Sequence, residues 1–406
     1  ILLIEGTAMT SQKLGAIVRR FVKRPVRTWQ SVARKQYAET LLRRPIGGVD
    51  YRLYHVAAFT PENAGDALLV TALQDLFLKQ LGAVAWKCKH VHSCVREHDI
   101  AAMNRCQAVV VGGGGLFITD TNTNALSGWQ WRCSLEMMRL IHVPIVVFAV
   151  GYNRFRGQAD FGEHFKQHLR VLVEAARFFG IRNHGSIKQL LGYLPPELHN
   201  KVVYQPCPTA VLAHIYEGIF KKARGVEPFV ALNCAFDRED LRYRGQTSSV
   251  LQQVAQAMKA VSKHLAIRYY AHARSDERML KVLDEAGVRY TLVRLYQKSC
   301  RVVVDAYRAA SVAVGMRGHS QLIPFGCGTP IISLISHDKL RWFLDDINRP
   351  EWGFDINDPN LASRLSEAVL QAVHNRSMLA KIIQDERERF WNLTSKNVSL
   401  LVEGLV

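Results

Sequence analysis

The sequence has no apolar run near the ~18–20 residues that a membrane-crossing helix needs; the longest, 143–150 (VPIVVFAV), has the length of a buried strand. Its first residues carry no signal-peptide pattern, and because the chain opens on Ile1, the natural start is expected at Met9 or upstream. A cysteine framework is missing as well. The eight cysteines are scattered, at positions such as Cys106, Cys133, Cys234 and Cys327, several in or beside apolar strands, which points to a reducing compartment. The sequons at Asn375, Asn392 and Asn397 read as chance in such a setting. No Walker Lys-Ser/Thr follows the one glycine run, and that run lacks the third glycine of G-x-G-x-x-G.

Acidic residues are scarce, 35 Asp and Glu against 53 Lys and Arg, for a net charge of +18. Residues 1–46 hold ten Lys or Arg against Glu5 and Glu39, nearly half of that excess. A basic chain suits acidic substrates, an anionic membrane surface or nucleic acid. Within the arm, 12–44 sets basic pairs among Ile17, Val18, Phe21, Val22, Val26, Trp29 and Val32, interrupted by Pro25. It reads as a solvated basic lead-in helix or as a segment lying on an anionic membrane face.

From residue 51 short strands and amphipathic helices alternate. Strands are predicted over 51–58, 108–111, 145–150, 177–181 and 202–205, with helices over 64–81, 134–141, 165–176 and 186–193. Pro206 and Pro208 then punctuate the chain. A second series follows, with strands over 229–233, 266–271, 290–293, 311–314 and 330–334, and helices between them and after them to residue 391. The pattern predicts an α/β protein of two doubly wound, Rossmann-like domains with an interdomain cleft. The expected division is a basic arm (1–46), an N-terminal α/β domain (47–206), a C-terminal α/β domain (207–375) and a C-terminal helix (376–406).

In such folds ligands sit past the carboxyl ends of the strands. Four stretches fall there. In 63-NAGDALL-69, Asp66 opens a helix and fits either a dipole partner and cap or a catalytic carboxylate. The glycines of 111-VGGGGLF-117, Gly113 and Gly114 among them, let backbone amides approach an anion, or serve simply as a tight strand exit. In 181-IRNHGS-186, Arg182 suits a bidentate grip on carboxylate or phosphate, or a surface ion pair, and Ser186 is placed to cap the next helix. The fourth, 311-SVAVGMRGHSQ-321, runs a strand into Arg317, Gly318 and His319, with a helix beginning at His319 or Ser320. Lys339, past the next strand, joins the same rim. Two cations, an imidazole and a helix start on one edge make an anion site. Two further clusters are weaker: 88-CKHVHSC-94 crowds its sulfur and imidazole groups too closely for a zinc site, and 129-WQW-131 suits a buried aromatic contact better than sugar stacking.

The Asn-x-Gly-Asp at 63–66, the strand with GGGGLF, the strand-end Arg182 before Ser186, and the series strand–Arg317-x-His319–G-x-P-strand–Lys339 together resemble the polysaccharide pyruvyl transferases over most of 51–350. This chain has Arg-Gly-His where many members have Arg-Leu-His. The resemblance implies a fold like the GT-B glycosyltransferases and transfer of a pyruvyl group from phosphoenolpyruvate onto sugar hydroxyls as a ketal. It implies an acceptor that is a surface polysaccharide, such as a capsule or exopolysaccharide, or its lipid-linked precursor. It implies Arg182, Arg317 and His319 at the donor and Asp66 near the reacting groups, with Asn63, Gly113, Gly114, Gly318, Ser320 and Lys339 completing the expected substrate site. His319 suits a proton donor and Asp66 a base, although the two could exchange roles. No cofactor, metal or nucleic acid is expected. The expected place is the cytoplasm, with residues 1–46 at the inner membrane face. A GT-B nucleotide-sugar glycosyltransferase is the alternative, and a non-enzymatic polyanion binder the lesser one.

Overall fold

The computed structural model describes residues 41–42, 50–119, 125–218 and 227–403. Leu41–Val406 forms one compact unit. The basic arm therefore lies outside the described residues, apart from Leu41 and Leu42.

Twelve strands make two six-stranded parallel sheets. The first joins β1 (Tyr51–Ala57), β2 (Val84–His90), β3 (Ala108–Phe117), β4 (Ile145–Tyr152), β5 (Ala176–Ile181) and β6 (Val202–Tyr204) in the order β2-β1-β3-β4-β5-β6. The second joins β7 (Phe229–Asn233), β8 (Ala266–Ala271), β9 (Thr291–Arg294), β10 (Val312–Gly315), β11 (Ile331–Ile335) and β12 (Gly353–Asp355) in the order β12-β11-β10-β7-β8-β9. Helices cover both faces, so central strands such as β4 and β7 are buried at every position and read as continuous apolar runs. The architecture is the pair of doubly wound α/β lobes expected from the alternation, and it is GT-B-like as the resemblance implies.

Each sheet reverses its strand order once, between β1 and β3 in the first and between β7 and β10 in the second. Crevices form at such points because the flanking connections leave in opposite directions. Helix α1 (Ala64–Leu81) leaves β1 with Asn63 as its cap: the Asn63 side chain accepts from Gly65 N at 3.0 Å, and Gly82 ends the helix at φ 85°. Asp66 is therefore not the cap. Helix α2 (His184–Leu191) is capped by Asn183, whose Oδ1 accepts from Ser186 N at 2.6 Å, while Ser186 Oγ accepts from Tyr152 N. Ser186 is thus inside the helix, contrary to the sequence expectation. Helix α3 (His319–Cys327) follows β10, and α4 (Asp338–Asp346) follows β11.

The glycine run does not follow β3; it lies within it. Gly113 and Gly114 adopt φ of 80° and 100°, and the pairing with β4 shifts register between Gly114 and Phe117. Trp129 and Trp131 are buried in the core of the first lobe beside Phe117 and His168. None of the eight cysteines is disulfide-bonded.

The lobes are tied together around the cleft. Ala64 N donates to His272 O at 3.0 Å and Gln297 N to Pro61 O at 2.7 Å. On the other side Arg156 reaches Asp338 at 3.1 Å and Asp355 at 2.9 Å, and His184 meets Asp346 at 2.9 Å. Gly185 lies directly under the Trp342 ring. The last helix, α5 (Arg376–Val402), leaves the second lobe and returns to the first, where Asn397 Nδ2 donates to Tyr204 O and Gln205 Oε1. Among the described residues no helix is long and apolar enough to cross a membrane.

Candidate functional site

Both strand-order reversals open onto one cavity of about 420 Å³ between the sheets. The first lobe supplies Asn63 and Asp66 past β1, the glycines of β3, Asn153 past β4 and Arg182 past β5. The second lobe supplies Asp237, Arg238 and Arg242 past β7, Arg317, Gly318 and His319 past β10, and His337 and Lys339 past β11.

Arg182 is buried, and its guanidinium lies over Gly151: a Cβ there would stand 2.2 Å from Nε. Its side chain has no salt bridge among the described residues. Burial lowers its pKa from the usual arginine range, and Cys207 and Asp66 offset this only in part. Lys339, half-buried, likewise has no salt bridge among the described residues. Burial first, then Arg182, hold its ammonium well below the ordinary lysine range, with Asp237 opposing. Two cations brought together without a carboxylate bridge leave a place for an anion.

Arg317 is bound differently. Its Nε donates to Asp276 Oδ2 at 2.9 Å, its Nη2 to Asp276 Oδ1, and its Nη1 to Asp237 Oδ1 at 2.9 Å. Asp276 is fully buried and also accepts from His272 N, Ala273 N and Asn233 Nδ2. Burial opposes the Arg317 charge, but Asp276 and Asp237 raise its pKa far above the usual value. The guanidinium is fixed in place with three of its five N–H groups already engaged.

His319 opens α3 and is nearly buried. Its Nδ1 lies 3.7 Å from Asp66 Oδ1, and its Nε2 has no hydrogen-bond partner. Burial, then Arg182, His272, Lys339 and Arg317, hold the ring well below the usual histidine pKa, which favours its neutral form. Burial pushes Asp66 the other way, up to about 6, against the pull of Arg317, Lys339 and Arg182. A neutral imidazole faces a carboxyl poised near neutrality, an arrangement suited to passing protons.

Of the residues expected from the sequence, Asn63, Asp66, Gly113, Gly114, Arg182, Arg317, Gly318, His319 and Lys339 line the cavity. Ser320 does not. It is 1% exposed, its Oγ accepting from Arg317 N at 3.0 Å and donating to Arg317 O at 2.8 Å, so it locks the turn that presents Arg317. The glycines of β3 are explained by backbone shape: Gly112 lies against Phe148 O, and Gly113 and Gly114 need their positive φ.

The sequence reading missed Asp237, Arg238 and Arg242, which follow β7 in 236-FDREDLRYR-244; the strand-end rule applied to β7 would have found them. It also missed Asn153 and His337. His90 and His92, weighed only as metal ligands, line the far end of the cavity with Thr60 and Gln130. There His92 Nε2 lies 3.0 Å from Gln130 Oε1, and burial together with His92 lowers His90 to about 4. Among the described residues no group of three or more His, Cys, Asp or Glu is arranged to hold a metal ion.

Comparison with known proteins agrees with this architecture. The structure is similar to the MnaA–UDP co-structure from S. aureus (TM-score 0.53, 13% identity, covering 86% of this chain and 97% of that one). It is also similar to the UDP-GlcNAc 2-epimerase from Neisseria meningitidis bound to UDP-GlcNAc (TM-score 0.52, 10% identity, 87% and 100%). A third is the sucrose-phosphate synthase from Thermosynechococcus elongatus (TM-score 0.52, 12% identity, 87% and 99%). At these identities the likeness is one of fold. No curated protein matches the sequence. The family model for polysaccharide pyruvyl transferase matches residues 63–338, from the cap of α1 to the first residue of α4 and so across every strand-end residue of the cavity but those of the β1 exit loop and Lys339. The chain belongs to the polysaccharide pyruvyl transferase family.

Proposed function

We propose that the protein transfers the pyruvyl group of phosphoenolpyruvate onto two hydroxyls of a sugar, forming a ketal on a surface polysaccharide or its lipid-linked precursor. The observation that carries this reading is the pair of cavity cations, Arg182 and Lys339, without salt-bridge partners among the described residues and beside the His319–Asp66 pair. Phosphoenolpyruvate presents a carboxylate and a phosphate on neighbouring atoms. Arg182, Lys339 and the amides that open α3 would hold these groups, with Arg317 fixed behind them by Asp276 and Asp237.

In this reaction one hydroxyl adds to C2 of the donor as C3 takes a proton. The C2–O bond to phosphate then breaks, and the second hydroxyl adds at C2 and closes the ring. One hydroxyl proton is matched by the proton on C3 and the other leaves on the released phosphate. His319 is the group we assign to deliver the proton to C3, through the unpartnered Nε2, and Asp66 the one that accepts from the hydroxyl. Burial first, and then the surrounding cations, favour the neutral form of His319. A bound anion offsets those charges, so the proton arrives with the donor.

The acceptor sugar is assigned to the opposite end of the cavity, past β2, where Thr60, His90, His92 and Gln130 offer hydrogen-bonding groups. The basic residues 1–46 are assigned to an anionic membrane surface, where lipid-linked precursors are found.

Isothermal titration with phosphoenolpyruvate on the wild type, Arg182→Ala and Arg317→Ala tests the reading. Binding by the wild type and a loss of roughly 10- to 100-fold in Arg182→Ala support it, the range expected for charge-assisted hydrogen bonds. A wild type that ignores phosphoenolpyruvate and takes up a nucleotide sugar would overturn it.

A further inference from the structure

His337 lies between β11 and α4 and is 1% exposed. Phe155 of the first lobe stacks on its ring at 4.5 Å and 18°, which fixes the ring plane. The guanidinium groups of Arg242 and Arg238 flank Phe155 at 5.3 Å and 5.7 Å. Arg238, Arg242 and His337 line the cavity, and the donor contacts assigned above use none of them.

The proton position on His337 follows from its neighbours. Arg242 Nη1 donates to Ser336 Oγ at 2.7 Å, since a guanidinium has only donors. Ser336 Oγ lies 3.0 Å from His337 Nδ1. Ser336 Oγ has no other acceptor within reach among the described residues, so its single proton turns toward Nδ1. Nδ1 is then the acceptor, and the proton of the neutral ring is on Nε2. Nε2 is buried with no partner, and the residue lines the cavity that also holds Arg182 and Lys339. An unpaired buried N–H is unfavourable, and an oxygen bound near those two cations would satisfy it. The ring keeps its neutral form because burial, then Lys339, Arg242, Arg182 and Arg238, disfavour a second proton.

We propose that His337 is a neutral hydrogen-bond donor to an anionic oxygen of the bound ligand, its Nε2–H tautomer set by Arg242 through Ser336. The inference rests on the anion-binding part of the proposed function and does not need phosphoenolpyruvate to be the ligand. The shared chemistry is an anionic oxygen; it belongs to a phosphate or to a carboxylate.

Two measurements test it. Nitrogen-15 spectra of selectively labelled histidine in the free protein report the tautomer, with His337→Phe identifying the signal. The expected form is Nε2–H in the wild type, lost or mixed in Ser336→Ala. Titrations with phosphoenolpyruvate, inorganic phosphate and pyruvate then compare wild type, His337→Phe and His337→Asn. His337→Phe keeps the stacking on Phe155 and is expected to weaken phosphoenolpyruvate and one of the two fragments tenfold or more. The fragment affected names the oxygen, and His337→Asn, which restores an N–H, recovers part of the loss. An Nδ1–H tautomer, unchanged affinities in His337→Phe, or a wild type that binds none of the three probes would each overturn the proposal. Binding of phosphate alone that depends on His337 would uphold it and remove phosphoenolpyruvate as the donor.

Discussion

The His319 ring rests on Gly65 across the boundary between the lobes: a Cβ on Gly65 would come within 2.5 Å of both His319 Cβ and Nδ1. Gly65 is in the first turn of α1, where nothing in its backbone requires glycine. Its role is to let the imidazole approach. Gly65→Ala is therefore expected to displace His319 and reduce turnover roughly a hundredfold, the scale for a misplacement of about 1 Å at a reacting group. Steady-state kinetics and circular dichroism check this; a Gly65→Ala enzyme of wild-type activity would separate His319 from the chemistry.

Asp66 links the site to stability. Its folded value of about 6 lies above the ordinary 3.8, burial being the main cause. The protonated carboxyl therefore favours the folded state; that contribution is fully present below about 3.8 and is lost as the pH rises through about 6. Asp66→Asn, neutral throughout, is expected to melt higher than wild type at pH 7, with the difference shrinking toward pH 4, and to lack activity. Thermal melts across that range decide it; a variant less stable at pH 7 contradicts the burial of an ionised Asp66.

Donor binding is expected to take up roughly one proton near pH 7, because an anion beside the surrounding cations raises His319 toward protonation. Titrations in buffers of different ionisation enthalpy measure the number directly. Equal heats in all buffers would show that the proton on C3 does not enter this way.

At the other end of the cavity, His92→Ala breaks the contact with Gln130. The expected result is an acceptor KM raised about tenfold, the loss of one hydrogen bond to substrate, with donor affinity unchanged. A change in donor affinity alone would place the sugar elsewhere.

The basic arm predicts that the full chain co-sediments with anionic vesicles and that deletion of residues 1–46 abolishes this. Raising the salt should release the full chain, since exposed charges are screened beyond about 10 Å at 0.1 M. Undiminished sedimentation of the shortened chain would place membrane contact on the folded unit.

The alternating periodicity made most strands and the full extent of α1 legible in the sequence, because buried parallel strands and amphipathic helices leave strong local patterns. The strand-end rule likewise located Asp66, Arg182, Arg317, His319 and Lys339 from their positions in the chain. What the sequence hides is pairing. Asn63 and Asp66, or Asn183 and Ser186, are equally good caps on paper, and only geometry selects Asn63 and Asn183. The glycines of β3 look like a strand exit because a bulge within a strand has the same composition. Arg317 resembles a free ligand for an anion until Asp276, 41 residues earlier, is seen to grip it. His337 and the histidines past β2 become visible only once the lobes face each other.

The return of α5 to the first lobe has a mechanical meaning. A body tethered to another by one segment of chain can pivot in any direction. Here the chain passes between the lobes twice, once after β6 and once along α5, whose Asn397 is anchored at Tyr204 and Gln205. The two crossings lie side by side, bonded to each other, so a parting of the lobes would pivot at that one seam rather than turn freely.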